Sequence, residues 1–412
     1  VTNIQRVAML SLHTSPLEQP GSGDAGGMNV YVRSMALELA KTGIDVEIFT
    51  RAHAEDQAET EELAPGVIVR HVPAGPRQKV AKERLPELHD SLVDAVHAIQ
   101  KHLSDEHFDV VHSHYWVSGI AGLRLAKTWK LPLVHTMHTM GKVKNLRAPA
   151  YGSVEPAIRI KGEQKIVDGA TRLIANTRRE AGELATHYGA PSGSIDIIPP
   201  GVNLEIFHPA PVDRASLDVS QNAFHLVFAG RIQRLKGPQI LIEAAARLAK
   251  SRPDIPLKIS ILGSVSGAEE LQLEPLVQSH GLHNTVSLHP AVQPATLATW
   301  LRSADVVVMP SFSESFGLVA LEAQACGTPV LAANVGGLPQ AVSHGRTGLL
   351  VDGHDPALWA AELEKLYDDA GLRQTLANGA AIHARAFGWN RTAMLTAQSY
   401  RNAVEDFGSP SH

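Results

Sequence analysis

Disulfides, membrane spans and a basic surface are all missing from this chain. Cys326 is the only cysteine in 412 residues, which excludes an internal disulfide and fits a reducing compartment. Basic residues number 37 against 42 acidic ones, a formal net charge of −5, so no overall positive field would draw in a nucleic-acid backbone. No apolar run reaches the roughly 18 residues of a membrane-spanning helix. The start, Val1 to Gln5, lacks the basic-then-apolar pattern of a secretion signal. These absences point to a cytoplasmic protein that neither crosses a membrane nor binds nucleic acid. A Walker A sequence is absent too, which leaves ATP-driven phosphoryl transfer without support.

What the chain does have is a doubled α/β pattern. Short β-branched apolar runs bounded by turn residues alternate with amphipathic stretches, the signature of βαβ units building a parallel sheet. In the first half the strand candidates are Arg6–Leu10, Val46–Thr50, Val67–His71, Asp109–His112, Leu133–Thr136, Arg172–Ala175 and Ile195–Ile198. The second set is Phe224–Ala229, Leu257–Leu262, Thr285–Leu288, Asp305–Pro310, Pro329–Ala333 and Gly348–Val351. Helical periodicity marks Met28–Lys41, Leu85–Leu103, Gln239–Lys250 and Leu318–Cys326. Between the sets, Pro199, Pro200, Pro209 and Pro211 disfavour helix and mark a hinge within Pro199–Asn222. The expected division is a first α/β domain over 1–200, a linker over 201–222, a second α/β domain over 223–388, and a helix and tail over 389–412 that crosses back to the first domain. Two domains of about 200 residues imply a cleft.

Three segments carry chemistry. Gly21-Ser-Gly-Asp-Ala-Gly-Gly27 contains G-x-G-x-x-G, but the glycines do not follow the first strand directly, and Asp45 precedes the second strand instead of ending it. That placement argues against a dinucleotide fingerprint. A plain loop is one alternative; the other is a loop whose backbone comes close to a ligand's phosphate and sugar, before a helix starting near Met28. In Ser311-Phe-Ser-Glu-Ser-Phe-Gly-Leu-Val-Ala-Leu-Glu322, Glu314 stands in a loop and Glu322 eight residues on, within the helix that Gly317 opens. Carboxylates so placed can accept from vicinal hydroxyls, Glu322 from a ribose and Glu314 from a hexose, while the amides at Gly317, Leu318 and Val319 meet a diphosphate. Dipole-favoured surface acids explain Glu314 passably and Glu322 poorly, since Leu-Val-Ala-Leu-Glu-Ala is an apolar helix. In Phe228-Ala-Gly-Arg-Ile-Gln-Arg-Leu-Lys-Gly237, Arg231 and Lys236 emerge at the carboxyl end of a strand, where two cations could neutralise a departing diphosphate.

Histidines gather after strands of the first half: His13, His112, His114, His135 and His138. No pair has a helix-borne H-E-x-x-H arrangement, so a catalytic zinc is not expected. His112 and His135 are expected to be polar cleft-edge residues. His138 is singled out as a partner of the donor hexose.

Residues 15–31, Gly-Arg-Ile-Gln-Arg-Leu-Lys-Gly (230–237) and Glu-Ser-Phe-Gly-Leu-Val-Ala-Leu-Glu (314–322) resemble family 4 of the retaining glycosyltransferases, the last being its E-x7-E signature. Within it, the first segment looks like the actinobacterial subfamily that glycosylates D-inositol 3-phosphate in mycothiol biosynthesis, from about Arg6 to Tyr400. The resemblance implies a GT-B fold of two Rossmann-like domains facing a cleft, UDP-N-acetylglucosamine as donor, D-inositol 3-phosphate (1L-myo-inositol 1-phosphate) as acceptor, and a homodimer. The donor would be taken by His13, Gln19, Pro20, Gly27, Arg231, Lys236, Val292 (its backbone on the uracil), Glu314, Gly317, Leu318, Val319 and Glu322. Catalysis would fall to His138, Arg231, Lys236 and Glu314. Asp24, Ala25, Gly26, Gly27, Met28 and Asn29 would meet the inositol ring; Lys82, Tyr115, Thr139 and Arg159 would bind its phosphate. By pattern alone, Lys82 and Arg159 read as surface charges on helical segments. The resemblance also implies a structural magnesium at Leu301, Arg302, Ala304 and Thr328, with no cofactor required for the chemistry.

Without a well-placed carboxylate nucleophile, retention suggests front-face substitution, with domain closure over the donor excluding water.

Overall fold

The computed structural model describes residues 3–19, 26–103, 107–151, 154–265 and 271–408, except the side chains of residues 82, 83 and 147–151. The chain forms two compact units. The first comprises Val1–Glu18, Met28–Pro199 and Trp389–His412, and the second Gln19–Gly27 and Pro200–Gly388.

In the first unit the strands are β1 (Arg6–Leu10), β2 (Asp45–Arg51), β3 (Thr60–Ala64), β4 (Val67–Val72), β5 (Val110–His114), β6 (Leu133–Thr136), β7 (Arg172–Ala175) and β8 (Ile195–Ile197). They lie in the order β3-β4-β2-β1-β5-β6-β7-β8. All pairs are parallel except β3 with β4. The central strands are buried on both faces, which is why they read as unbroken apolar runs. β3 is different: Thr-Glu-Glu-Leu-Ala is largely exposed and carries no apolar run, so periodicity does not reveal it. Its charged, antiparallel backbone closes that end of the sheet and protects it from further pairing.

The second unit holds β9 (Phe224–Ala229), β10 (Leu257–Leu262), β11 (Val286–His289), β12 (Val306–Met309), β13 (Val330–Ala333) and β14 (Gly348–Val351). Their order is β11-β10-β9-β12-β13-β14, parallel throughout. Both sheets therefore present their loops, and the helices that follow, at the carboxyl ends of the strands.

Three expectations change. Leu85–Leu103 is not one helix: a 3-10 segment, Lys82–Leu88, contains Pro86, and the α-helix starts only at His89 and runs to His102. Pro86 has no N–H to give an α-helical ladder. Residues 201–222 are no separate linker. Phe207 is buried, Arg302 donates to the carbonyls of Ile206 and His208, and Arg214 pairs with Asp305 at 3.0 Å, so the segment belongs to the second unit. The expected 1–200 domain also loses Gln19–Gly27 to that unit.

The helix Trp389–Gly408 lies in the first unit. Ser399 Oγ donates to Asp196 at 2.6 Å, Arg172 Nη1 donates to Asp406 at 2.6 Å, and Thr392 Oγ1 donates to the Pro199 carbonyl at 2.9 Å. Among the described residues no helix is long and apolar enough to cross a membrane.

Candidate active site

The second unit assembles its site from loops that approach one another very closely. A 3-10 turn, Arg234–Lys236, follows β9 and delivers Lys236, whose Nζ donates to Glu314 Oε2 at 2.6 Å. Both side chains are about four-fifths buried, at 19% and 17% exposure. The Phe312 amide bonds the Leu235 carbonyl at 2.9 Å, tying the lysine's loop to the glutamate's. Two glycines fix the spacing. A Cβ on Gly237 would stand 2.0 Å from the Pro310 carbonyl oxygen, and one on Gly336 1.9 Å from that of Glu314. No larger residue fits at either place without moving the backbone that carries the ion pair.

Gly317, at φ +101°, caps the helix Leu318–Ala325. No described residue accepts from the amides of Leu318 and Val319, the open donors of a helix start. Glu322 lies one turn further on. It is half-buried, burial pushes its carboxyl up to about 7, and among the described residues its oxygens have no hydrogen-bonding or ionic partner. A desolvated carboxylate without a donor is costly unless a ligand supplies one. Arg231 is half-buried and likewise has no partner among the described residues. A Cβ on Gly26 would lie 3.7 Å from Arg231 Nε, and one on Gly27 3.4 Å from Leu318 Cδ1, so this glycine pair runs against the cation and the helix start. Gln19 Nε2 donates to the Ala291 carbonyl at 3.1 Å, next to half-buried Val292. Apart from His13 and Pro20, the donor residues inferred from the sequence thus all stand in the second unit. Pro20, Asp24 and Ala25 lie outside the described residues, as does the Lys82 side chain.

In the first unit the site is made of side chains. Tyr115 and His138 follow adjacent strands, β5 and β6, and adopt left-handed backbone, φ +68° and +60°, a strain that persists in non-glycine residues where the surroundings dictate it. Arg159 is 1% exposed, which corrects its reading as a surface charge. Its guanidinium donates to Glu163 at 2.7 Å and to the Thr139 hydroxyl and carbonyl at 2.9 and 3.1 Å, pairs with Glu155 at 2.9 Å, and lies 5.0 Å from the Tyr115 ring centroid. Tyr115, Thr139 and Arg159 are therefore one cluster. His13, expected at the donor, has its ring 4.5 Å from that of Tyr115. Met28 is half-buried at the start of its helix; Asn29 turns inward, donating to Thr14 Oγ1 at 2.8 Å and the Ser15 carbonyl at 2.6 Å.

His112 and His135 are fully buried, not residues of a cleft edge. His112 lies 2.7 Å from the Tyr400 hydroxyl and 2.9 Å from Thr136 Oγ1; His135 lies 2.7 Å from Ser113 Oγ. His114 Nδ1 and His138 Nε2 are 2.9 Å apart. Burial, with mutual repulsion, holds His112 and His114 well below the ordinary imidazole range. Burial takes His135 and His138 down to about 3. All four rings are neutral near pH 7, so in the His114–His138 pair one nitrogen donates and the other accepts. Among the described residues no three His, Cys, Asp or Glu side chains converge on a metal position.

Sequence reasoning missed Glu155, Glu163, Tyr188 and Lys144. Arg159 and Glu163 stand four residues apart within the helix Ala157–Gly169, and Glu155 stands four residues before Arg159, just ahead of that helix; acids at that spacing on either side could have flagged Arg159 as paired. Glu180, with burial pushing its carboxyl up to about 7, stands at the T-x-x-E spacing of a helix start: its amide donates to Thr177 Oγ1 at 2.9 Å and its carboxylate accepts from the Asn176 amide at 2.8 Å.

The residues expected at a magnesium form a helix end. The Leu301 carbonyl accepts from Thr328 Oγ1 at 2.7 Å and from the Ala304 amide at 3.3 Å, while the Arg302 guanidinium is turned to Ile206 and His208. The set contains no carboxylate, the usual protein ligand of Mg2+, and fits the ion poorly.

Comparison with known proteins matches this geometry. Residues 25–206 fit the model of Glycosyltransferase Family 4 and residues 210–383 that of Glycosyl transferases group 1. A D-inositol 3-phosphate glycosyltransferase of Arthrobacter sp. (strain FB24) is 57% identical over 409 residues, covering 99% of this chain and 97% of that one. The chain belongs to the GT-B glycosyltransferases of family 4. The protein of the same name from Thermobispora bispora is 49% identical over 98% of this transferase and 96% of its own length. The solved sucrose-phosphate synthase of Thermosynechococcus elongatus superposes with a TM-score of 0.88 at 31% identity, covering 96% of this chain and 98% of that one.

Proposed function

We propose that this glycosyltransferase moves N-acetylglucosamine from UDP-N-acetylglucosamine to D-inositol 3-phosphate with retention at the anomeric carbon. The observation that carries the donor half is the half-buried Glu322, without a partner among the described residues, one turn beyond the open amides of a helix whose start at Gly317 lies against Glu314. Ribose hydroxyls would donate to Glu322, the diphosphate would meet the amides of Leu318 and Val319, and the hexose would donate to Glu314. The acceptor half draws on the relatives' printed name and on the cluster of Tyr115, Thr139 and Arg159, which offers cationic and hydroxyl groups to a phosphate.

Chemically the site favours positioning and charge stabilisation over covalent catalysis. Glu314 is held by Lys236 and Glu322 lies within a helix, so neither carboxylate is presented as a nucleophile. The β-phosphate oxygen that leaves the sugar would take the proton of the attacking inositol hydroxyl on the same face, while Arg231 and Lys236 stabilise the charge that develops on UDP. Two of the three Lys236 N–H groups remain beyond its bond to Glu314. His138, held by His114, would hydrogen-bond the donor hexose. No step is routed through a metal ion. The proposal extends to a homodimer in the cytoplasm, which sedimentation of the purified protein and localisation in cells would check.

The deciding experiment incubates the protein with UDP-N-acetylglucosamine and a panel of free and phosphorylated acceptors, followed by product mass and anomeric NMR. Retained configuration on inositol phosphate is expected. An inverted anomer or a trapped glycosyl-enzyme would refute the mechanism, and equal turnover of free inositol would remove the phosphate role of Tyr115, Thr139 and Arg159. Preference for another sugar phosphate would place the chain nearer the sucrose-phosphate synthase that it superposes on.

A further inference from the structure

Arg159 has almost no donor left to give a phosphate. A guanidinium offers five N–H groups. Nε goes to Glu163, Nη2 serves both the hydroxyl and the carbonyl of Thr139, and Nη1 pairs with Glu155. One N–H remains, on Nη1. For a phosphate to be held through two parallel bonds, a present partner must leave.

The two carboxylates differ in how firmly they are held. Glu163 is fully buried and also accepts from the Gly141 amide and the Tyr188 hydroxyl, so its removal would strand several donors. The Glu155 side chain is 21% exposed, and its second oxygen takes Lys144 Nζ at 2.7 Å. The residue's main chain is fastened to Asn145, through bonds of 2.7 and 3.3 Å. Burial alone would raise the Glu155 carboxyl, but Arg159 and Lys144 bring it below the usual range. One carboxylate thus bridges two cations, as two oxygens of a phosphate could. Within this bridge the two cations, Arg159 and Lys144, are matched by two carboxylates, Glu155 and Glu163. A phosphomonoester carrying about −1.5 to −2 would upset that balance unless one carboxylate withdrew.

We propose that Glu155 occupies the anion position of the acceptor until the phosphate displaces it, and that Lys144 is then a further phosphate ligand beside Arg159. The substitution of one anion for another makes the site selective. A free polyol brings no charge to replace Glu155 and leaves the Lys144–Glu155–Arg159 bridge closed, whereas leaving both cations bare would be costly. This rests on the reading that a phosphate binds at Tyr115, Thr139 and Arg159.

The test is steady-state kinetics with UDP-N-acetylglucosamine and inositol phosphate, inorganic phosphate serving as a competing probe, for Lys144→Met and Glu155→Gln. Lys144→Met should raise the acceptor KM about 10- to 100-fold and weaken inhibition by phosphate, with UDP affinity by calorimetry unchanged. Glu155→Gln should lower the acceptor KM, tighten phosphate inhibition and raise turnover of free inositol. An acceptor KM unmoved by Lys144→Met, or raised by Glu155→Gln with a fall in Tm, would overturn the proposal and leave Glu155 a structural strut. Thr139→Val and Tyr115→Phe separate the two ideas. If they leave the acceptor KM unchanged, the phosphate site itself is misplaced; if they raise it while Lys144→Met does not, only the displacement of Glu155 fails.

Discussion

The two units build polar sites at the same end of similar sheets, from opposite materials. The second unit uses backbone: glycines pressed against carbonyl oxygens bring loops so close that one ion pair and a row of amides are fixed by main chain. The first unit uses buried rings and a buried guanidinium, each held by other side chains. A backbone site tolerates no added atom but little depends on any single polar side chain outside it. A side-chain site accepts small steric changes but is exposed to changes in protonation.

The largest expected effect tests the first half of that contrast. Gly336→Ala puts a Cβ where the Glu314 carbonyl lies 1.9 Å away, at φ +54°, and should destabilise the second unit by about 3 kcal/mol or more and abolish UDP binding. Urea unfolding and calorimetry would show it; wild-type UDP affinity would break the comparison.

Next comes acid. His112, His114, His135 and His138 have folded pKa values depressed from about 6.5, so their stabilising contribution is present above that pH and is lost as pH falls below it, for His135 and His138 towards about 3. Glu322 has the opposite sign. Its folded pKa, raised to about 7, makes its contribution full below the ordinary carboxyl range and lost as pH rises through 7. Glu180 adds that same sign to the first unit, and His225, pushed down to about 4, adds an acid-sensitive ring to the second. With four such buried rings, three of them in contact through His114, the first unit should unfold first between pH 6 and pH 3, as followed by hydrogen exchange of β5 and β6 against β9 and β12. Loss of β9 and β12 first would refute this.

Lys236→Ala should lower turnover about 10²-fold with a smaller change in donor KM; near-normal turnover would remove its role. For Glu322, ribose hydroxyls favour the ionised carboxylate, so UDP binding near pH 6 should release a proton. Glu322→Gln should abolish that release and weaken UDP about 10-fold or more, both measurable by calorimetry in buffers of different ionisation enthalpy. The smallest effect is Tyr400→Phe, which leaves His112 Nδ1 without its partner and should cost about 1–2 kcal/mol in the first unit, with UDP affinity unchanged.

Much of this was legible in sequence because burial on both faces of a parallel strand leaves a long apolar run. β1, β6, β7, β9, β10 and β14 fall where periodicity puts them, and the loop–helix segment from Glu314 to Glu322 is local, so its spacing survives folding. What escaped was non-local. Nothing near β3 marks it, because an exposed edge strand needs no apolar side chains. The burial of His112 depends on Tyr400, 288 residues away. That of Arg159 depends on Thr139, 20 residues away, and on the ring of Tyr115, both outside its own helix. The prolines after Pro199 correctly mark irregular chain, but irregular backbone can still pack, as Phe207 and Arg214 do.

The return of the last helix to the first unit has a consequence for synthesis. The Val202 amide bonds the Phe387 carbonyl at 2.7 Å, so the second unit enters and leaves through neighbouring points and can close once residue 388 is free of the ribosome. The first unit begins earlier and finishes later. Its sheet must wait, through the translation of nearly two hundred intervening residues, for Trp389, Ser399, Tyr400 and Asp406. During that interval the half assigned to the acceptor is the nascent chain's vulnerable part, and the half assigned to the donor is the earlier to mature.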